Sequence, residues 1–235
     1  MHIAIVGGSG GIGQAFLRNL IGQSNDTLIS ATYHRSRPEP VHPNIIWHEM
    51  DVSREPSVGA WADTLVEIDW LINAAGILHT GDDGPEKTIR QFEPDFFMRN
   101  IAINALPTLL LARFTQDKFR HGRPAVFATV SARVGSITDN RLGGWYSYRS
   151  SKAALNMCMK TLAIEWKRTL PNVTVAALHP GTTDTSLSKP FQKNVPENKL
   201  FTPDQSAGYM VKVLGGLTPL QSGRFWAYNG EELPW

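Results

Sequence analysis

Residues 5–13 read IVGGSGGIG. An apolar run, HIAIV at 2–6, leads into this stretch, and a helical pattern over 11–22 leaves it. Gly7, Gly11 and Gly13 form G-x-x-x-G-x-G, with Gly8 and Gly10 in addition. A phosphate resting on backbone N–H groups and a helix N-terminus needs the chain close to it, and any Cβ stands in the way. A glycine-rich turn alone is a weak signal. Its place after the first strand and at the opening of a helix makes it read as a dinucleotide-binding loop.

The pattern continues outward. Apolar runs at 27–33, 44–50, 69–75, 124–130, 173–178 and 223–228 read as further strands. Most lack polar alternation, as parallel strands buried on both faces do. Helical patterns fall near 54–66, 93–119, 148–169 and 203–215. This alternation predicts an α/β fold: a Rossmann-type doubly wound parallel sheet with helices on both sides. The irregular segments 77–92, 131–146 and 182–202 follow strand ends, where open α/β sheets bind ligands. A length of 235 residues suits a single domain, 1–235.

Composition excludes several classes. A net charge of +2 without a dense basic block argues against a nucleic-acid surface. No apolar run approaches the roughly 18 residues of a membrane span. Cys158 is the only cysteine, so no intramolecular disulfide or cysteine-rich zinc site forms, and the seven histidines lack metal-ligand spacing. No metal is expected. The start of the chain lacks the charged n-region and long h-region of a signal peptide, and a cytoplasmic location is expected.

The cofactor's identity is read roughly twenty residues beyond the glycine loop, where an NAD site offers a carboxylate to the ribose 2′-hydroxyl. Residues 28–38 contain no acid. Arg35, with His34 and Arg37 beside it, instead offers a guanidinium to a 2′-phosphate. NADP is therefore expected over NAD, although a merely solvated arginine loop would read the same.

VGGSGGIG at 6–13, NAAG at 73–76, Asn104, Ser131, YRSSK at 148–152 and HPGTTDT at 179–185 together resemble the short-chain dehydrogenase/reductases in order and spacing. The segment 131–156 and the ending YNGEELPW resemble the C-factor/sniffer-type carbonyl reductases. The resemblance implies a catalytic tetrad of Asn104, Ser131, Tyr148 and Lys152. It implies that Gly7, Gly11, Ile12 and Gly13 hold the pyrophosphate, that Asp51 meets the adenine with Val52 beside it, and that Asn73 and Gly76 line the adenine ribose. It places Pro180, Gly181 and Thr182 at the nicotinamide and Thr185 at its amide or a phosphate. Two positions depart from the family pattern. Val6 replaces a threonine, which removes a stabilising hydroxyl, and Ala74 replaces a second asparagine.

The chemistry suits these residue types. Reduction of a carbonyl needs a hydride on carbon and a proton on oxygen. A free phenol has a pKa of about 10, and a nearby ammonium is expected to lower it toward working pH. Tyr148 and Lys152 are spaced i, i+4, so one helix face presents both to a single site, and Lys152 can also hold the nicotinamide ribose. Ser131, at a strand end, can hydrogen-bond the substrate oxygen. Asn104 lies inside a predicted helix, and the resemblance gives it a kinked backbone and a water that links Lys152 to solvent. Pro107 supports that distortion, because it lacks an N–H. Taken singly, each residue is an ordinary polar or solvated group. Asp51 also reads as a capping acid before Ser53, and His179 reads as structural. Trp145 and Tyr146 read as packing aromatics or a substrate wall.

Residues 184–201, with Leu187, Phe191 and Leu200, are expected to form a short lid over a small or medium carbonyl substrate. Helix 148–169 is apolar on more than one face, with Ser151, Ala154, Leu155, Cys158 and Leu162 at helical spacing and Met157 and Ile164 beyond them. Family members often pair through this helix, so a homodimer or homotetramer is expected. The leading reading is an NADP-dependent carbonyl reductase with Tyr148 as general acid and base. The alternative is a cofactor-binding regulator, because C-factor relatives are linked to intercellular signalling. The intact tetrad favours the enzyme.

Overall fold

The computed structural model describes residues 1–21, 26–38, 42–81, 83–193 and 195–235. Gly22 of the expected first helix, Asp82 of the 77–92 loop and Asn194 of the expected lid lie outside the described residues.

The seven apolar runs form the strands β1 (His2–Val6), β2 (Leu28–Tyr33), β3 (Ile45–Glu49), β4 (Trp70–Asn73), β5 (Ala125–Val130), β6 (Val173–His179) and β9 (Arg224–Ala227), while the short strands β7 (Thr182–Thr183), β8 (Leu200–Phe201) and β10 (Glu232–Leu233) lie outside those runs. Eight of the strands make one sheet in the order β3-β2-β1-β4-β5-β6-β9-β10, and β7 and β8 pair separately. Every pair in the large sheet is parallel except β9–β10. The order reverses between β1 and β4. At such a switch point the flanking loops diverge and leave a crevice outside the strand ends.

The alternating order of strands and helices accounts for the parallel sheet, and the strand expected over 223–228 is β9, parallel to β6. One further short strand, β10, lies beyond the expected ones. Gly230, at φ +84°, turns the ending back so that Glu232 pairs with Trp226 and Leu233 with Phe225. A short antiparallel edge strand of this kind shields the sheet margin.

Helices α1 (Gly11–Ile21) and α6 (Pro203–Gly216) cover one face of the sheet. Helices α2 (Glu55–Asp63), α3 (Pro94–Asn104), α4 (Leu106–Thr115) and α5 (Tyr146–Thr169) lie on the other. β5 and β6 are buried along nearly their whole length, which is why their sequences carry no alternation. On the α5 side, Phe119, Phe127 and Trp166 pack edge to face, with ring centroids 5.3–6.4 Å apart. No helix among the described residues is long and apolar enough to cross a membrane.

The single helix expected over 93–119 is divided. Ala105, at φ −108° and ψ −52°, separates α3 from α4, and Gln116–Phe119 is a tight 3-10 turn. Pro107 enters at the second position of α4 and has no N–H to give back to α3. The Thr108 N–H goes to the Ala105 carbonyl at 3.2 Å, so the Asn104 carbonyl loses its ordinary helical donor. The helix over 148–169 starts earlier than expected, at Tyr146.

Candidate active site

The cleft at the switch point has a volume of about 360 Å³. Ile12, Gly76, Ser131, Tyr148, Lys152, Pro180, Gly181, Thr182 and Thr185 all line it. β1, β4, β5, β6 and α5 therefore converge their expected site residues on one cavity.

The glycine loop is held open by the backbone. Gly7 adopts φ +73°, and a Cβ there would stand 2.8 Å from the Ala75 nitrogen. A Cβ on Gly13 would collide with the Gly7 carbonyl, and one on Gly11 would lie 2.7 Å from the Thr185 methyl. The loop thus keeps its amides and the N-terminus of α1 exposed beside Thr185, a cradle that any side chain would fill. The hydroxyl missing at Val6 is supplied from another strand, because Gly7 N–H donates to Thr32 Oγ1 at 3.0 Å. Thr32 carries no local sequence signal; its place on β2 beside β1 is what brings it to the loop.

At the β2 and β3 ends, Met50 N–H donates to the Tyr33 carbonyl at 2.8 Å. This brings 34–35 and Asp51 to one corner. Arg35 and Arg37 are exposed there and form no ion pair with a described residue. Asp51 Oδ1 accepts from the Ser53 amide and hydroxyl at 3.0 and 2.6 Å, while Oδ2 lies 3.8 Å from His34 Nε2. Those hydrogen bonds, with the His34 and Arg54 charges, hold the carboxyl below its ordinary value despite partial burial. Asp51 closes a turn onto Ser53 and does not cap α2, whose cap position is Arg54. Val52 packs against the core next to it. Asn73 Oδ1 accepts from Ala75 N–H at 3.1 Å and shapes the strand end.

Lys152 and Tyr148 are both buried on α5. Lys152 Nζ donates to the Val130 carbonyl at 3.1 Å and lies 5.8 Å from the Tyr148 ring centroid, over its face. A Cβ on Gly76 would sit 3.1 Å from Asn104 Oδ1 and 3.5 Å from Lys152 Nζ, so all three meet there. Asn104 is fully engaged: its Oδ1 accepts from Ile77 N–H at 2.8 Å, and its Nδ2 donates to Ile77 O, Asn100 Oδ1 and Ser151 Oγ at 2.9–3.1 Å. The amide pins the β4 loop to α3 and α5. The Ala105 break leaves the Asn104 carbonyl without its helical donor.

The electrostatics correct one expectation. Lys152 does not lower the Tyr148 phenol; burial pushes the phenol up, above its ordinary range. Burial also lowers the Lys152 ammonium to about 8. Both groups lose water in the same pocket, where the ammonium lies over the ring and donates to the Val130 carbonyl.

Ser131 stands at the end of β5, its amide bonded to the Leu178 carbonyl at 2.7 Å. Its hydroxyl donates to Asn156 Oδ1 at 2.6 Å. Asn156 went unremarked in the sequence, although the i, i+4 arithmetic that links Tyr148 to Lys152 reaches it in one more step. Glu86 was also missed. Its buried carboxylate accepts from the Ser147 amide and hydroxyl, and its carbonyl accepts from Trp145 N–H at 2.5 Å. No local pattern marks it, because its partners lie in a remote segment.

Within 184–201, Leu187, Ser188, Phe191 and Val195 line the cleft. Phe191 packs on Trp145 and His79, with centroids 5.2 and 6.0 Å apart. Leu200 does not join them; it lies in β8, paired with Thr182 of β7. Gly181, at φ +76°, admits the Phe201 ring where a Cβ would be 2.6 Å away. Pro180 is anchored through its carbonyl by Ser206 Oγ at 2.8 Å. Trp145 forms a cleft wall, while Tyr146 is exposed and does not line the cleft. His179 is held neutral, its imidazole lowered to about 4 by loss of water and the Arg133 charge. Among the described residues no group of three or more His, Cys, Asp or Glu is placed to hold a metal.

The family model described as short chain dehydrogenase matches residues 1–196. A 1-hydroxy-2-glutathionyl-2-methyl-3-butene dehydrogenase of Rhodococcus sp. (strain AD45) is 32% identical over 99% of both chains. The C-signal protein of Myxococcus xanthus is 36% identical over 72% of this chain and 93% of its own. The NADPH-bound carbonyl reductase from chicken fatty liver superposes with a TM-score of 0.87 at 25% identity, over 100% of this chain and 94% of the other. These likenesses agree with the expected C-factor/sniffer type.

Proposed function

The chain belongs to the short chain dehydrogenase family, and from that premise we propose that it is a carbonyl reductase working between NADP(H) and a small or medium carbonyl compound or its alcohol. The observation that carries this reading is the convergence of Ser131, Tyr148 and Lys152 on the cleft that the glycine loop borders.

A nicotinamide cofactor held here supplies or accepts the hydride. Gly7, Gly11, Ile12 and Gly13, with the α1 N-terminus, hold its pyrophosphate. Arg35 takes the 2′-phosphate, and its freedom from acidic partners among the described residues supports NADP over NAD. Asp51 keeps Oδ2 for the adenine, with Val52 beside it. Asn73 and Gly76 border the adenine ribose. Pro180, Gly181, Thr182 and Thr185 border the nicotinamide end.

Ser131 holds the substrate oxygen. Tyr148, whose phenol stays protonated at neutral pH, donates its proton to that oxygen as charge develops on it. Lys152 carries its charge at neutral pH, stabilises the phenolate left behind, and holds the ribose hydroxyls. The Asn104 carbonyl holds the water through which Lys152 exchanges protons with solvent. The lid residues Leu187 and Phe191 and the wall residue Trp145 select apolar carbonyls and exclude water. Met157 and Ile164, exposed on α5, support pairing of two copies through this helix. We place the protein in the cytoplasm.

Thermal unfolding with saturating NADPH, NADH or neither tests the cofactor site, because a ligand of the folded state raises stability by roughly 2.7 kcal/mol at a hundredfold excess over Kd. NADPH is expected to shift the midpoint more than NADH does, and Arg35→Ala is expected to erase the difference. Tyr148→Phe is expected to keep the NADPH shift and lose most aldehyde or ketone turnover. The likeness to the C-signal protein supports a second reading, a cofactor-binding regulator. A wild-type protein that binds NADPH but turns over no carbonyl would favour it.

A further inference from the structure

Tyr148, Lys152 and Asn156 follow one another at four-residue steps on α5 and so share one stripe of the helix. Tyr148 and Lys152 reach the cleft. Asn156 stands behind it, only 3% exposed, and its Oδ1 takes the Ser131 proton at 2.6 Å. Its Nδ2 is buried without a partner.

A serine hydroxyl has one proton. With that proton directed at Asn156 Oδ1, Ser131 offers the cleft only lone pairs, which suit the O–H of an alcohol. A carbonyl oxygen needs the reverse, a donor. A carboxamide can supply either arrangement, because a half-turn about its terminal torsion puts Nδ2 where Oδ1 was. Nδ2 then donates to Ser131 Oγ, and the serine proton is released toward the cleft. An unpaired buried donor is costly, so the present arrangement is not locked by its own hydrogen bonding.

We propose that Asn156 is a positioning residue that sets the direction of the Ser131 hydroxyl, turned one way to receive a carbonyl and the other way to receive an alcohol. This rests on the carbonyl reductase reading and adds to it a residue that touches neither substrate nor cofactor.

The test measures binding without turnover. Isothermal titration gives the affinity of benzaldehyde for the NADP⁺-bound protein and of benzyl alcohol for the NADPH-bound protein. Asn156→Asp, titrated at a pH where its carboxyl is ionised, can only accept and keeps the serine proton turned inward. The aldehyde should weaken relative to the alcohol by about fivefold, the effect of one hydrogen bond. Asn156→Leu removes the inner acceptor and adds no buried charge, so the serine proton turns outward and the ratio should move the opposite way. In a Ser131→Ala background neither substitution should change the ratio. Movement of both variants in the same direction, or the same changes without the serine, overturns the proposal and leaves the reductase reading intact. A wild-type protein that binds cofactor but neither probe overturns the reductase reading, and this inference with it.

Discussion

The carboxylate of Glu86 receives both the amide and the hydroxyl of Ser147, a residue 61 positions away at the first turn of α5. A buried acid at a helix N-terminus satisfies donors that the helix leaves free and complements its dipole. Two turns of the same helix carry Tyr148 and Lys152, so Glu86 fixes where the proposed reacting pair begins. Glu86→Ala leaves those donors without a partner and should cost about 1–3 kcal/mol in urea unfolding. The turnover number should fall while NADPH affinity changes little, since the glycine loop lies elsewhere. Unchanged stability would mean that the contact does not hold α5.

Trp145 is the only non-glycine among the described residues with positive φ, at 53°. Its ring lies 6.2 Å from Tyr148 and 5.2 Å from Phe191, bridging the helix and the lid segment. Trp145→Gly relieves the left-handed backbone and removes the wall. Stability should stay within about 1 kcal/mol of wild type, and KM for an aromatic aldehyde should rise about tenfold or more while KM for acetaldehyde moves little. Equal changes for both aldehydes would deny Trp145 a role in selection.

Gly13→Ala places a methyl against the Gly7 carbonyl. The loop must open to relieve the overlap, and the amides that face the cleft turn away. The thermal shift produced by NADPH should disappear, while the unfolding midpoint without cofactor falls by only a few degrees. Retention of the full shift would place the pyrophosphate somewhere other than this loop.

The lowered ammonium of Lys152 sets a pH limit. Its charge is present below about 8 and is lost as pH rises through that value, well before an ordinary lysine would titrate. The kcat/KM for NADPH, which reports the free enzyme, should therefore decline above about pH 8. Lys152→Arg, which stays charged, should move this limb upward even if the rate is lower. A profile flat to pH 10, the region of an ordinary lysine, would show that the ammonium is not desolvated in solution.

The glycine loop and the alternation of strands and helices up to β6 were legible because each depends on short-range rules, whereas the candidate tetrad was expected from a family resemblance in the order of its motifs. Buried parallel strands need uninterrupted apolar runs, a phosphate cradle needs glycine, and i, i+4 spacing puts Tyr148 and Lys152 on one side of α5. Pro107 announced the break at Ala105 through its missing N–H. The last strand escaped because its pairing is antiparallel and is decided by a turn at Gly230. Thr32, Glu86 and Asn156 escaped because a lone threonine, glutamate or asparagine is ordinary until its partner in another segment is known.

The sequence by itself determined the doubly wound fold, the place of the glycine loop and several of the residues that line the cleft, Ser131, Tyr148 and Lys152 among them. Spacing and side-chain volume along the chain carry that information. Only the tertiary structure decided the state of those residues. It buried Tyr148 and Lys152 together, which raises the phenol and lowers the ammonium. It also turned the Ser131 proton toward Asn156. Desolvation and hydrogen-bond direction depend on which atoms from distant segments share a pocket, and no local stretch of sequence specifies that.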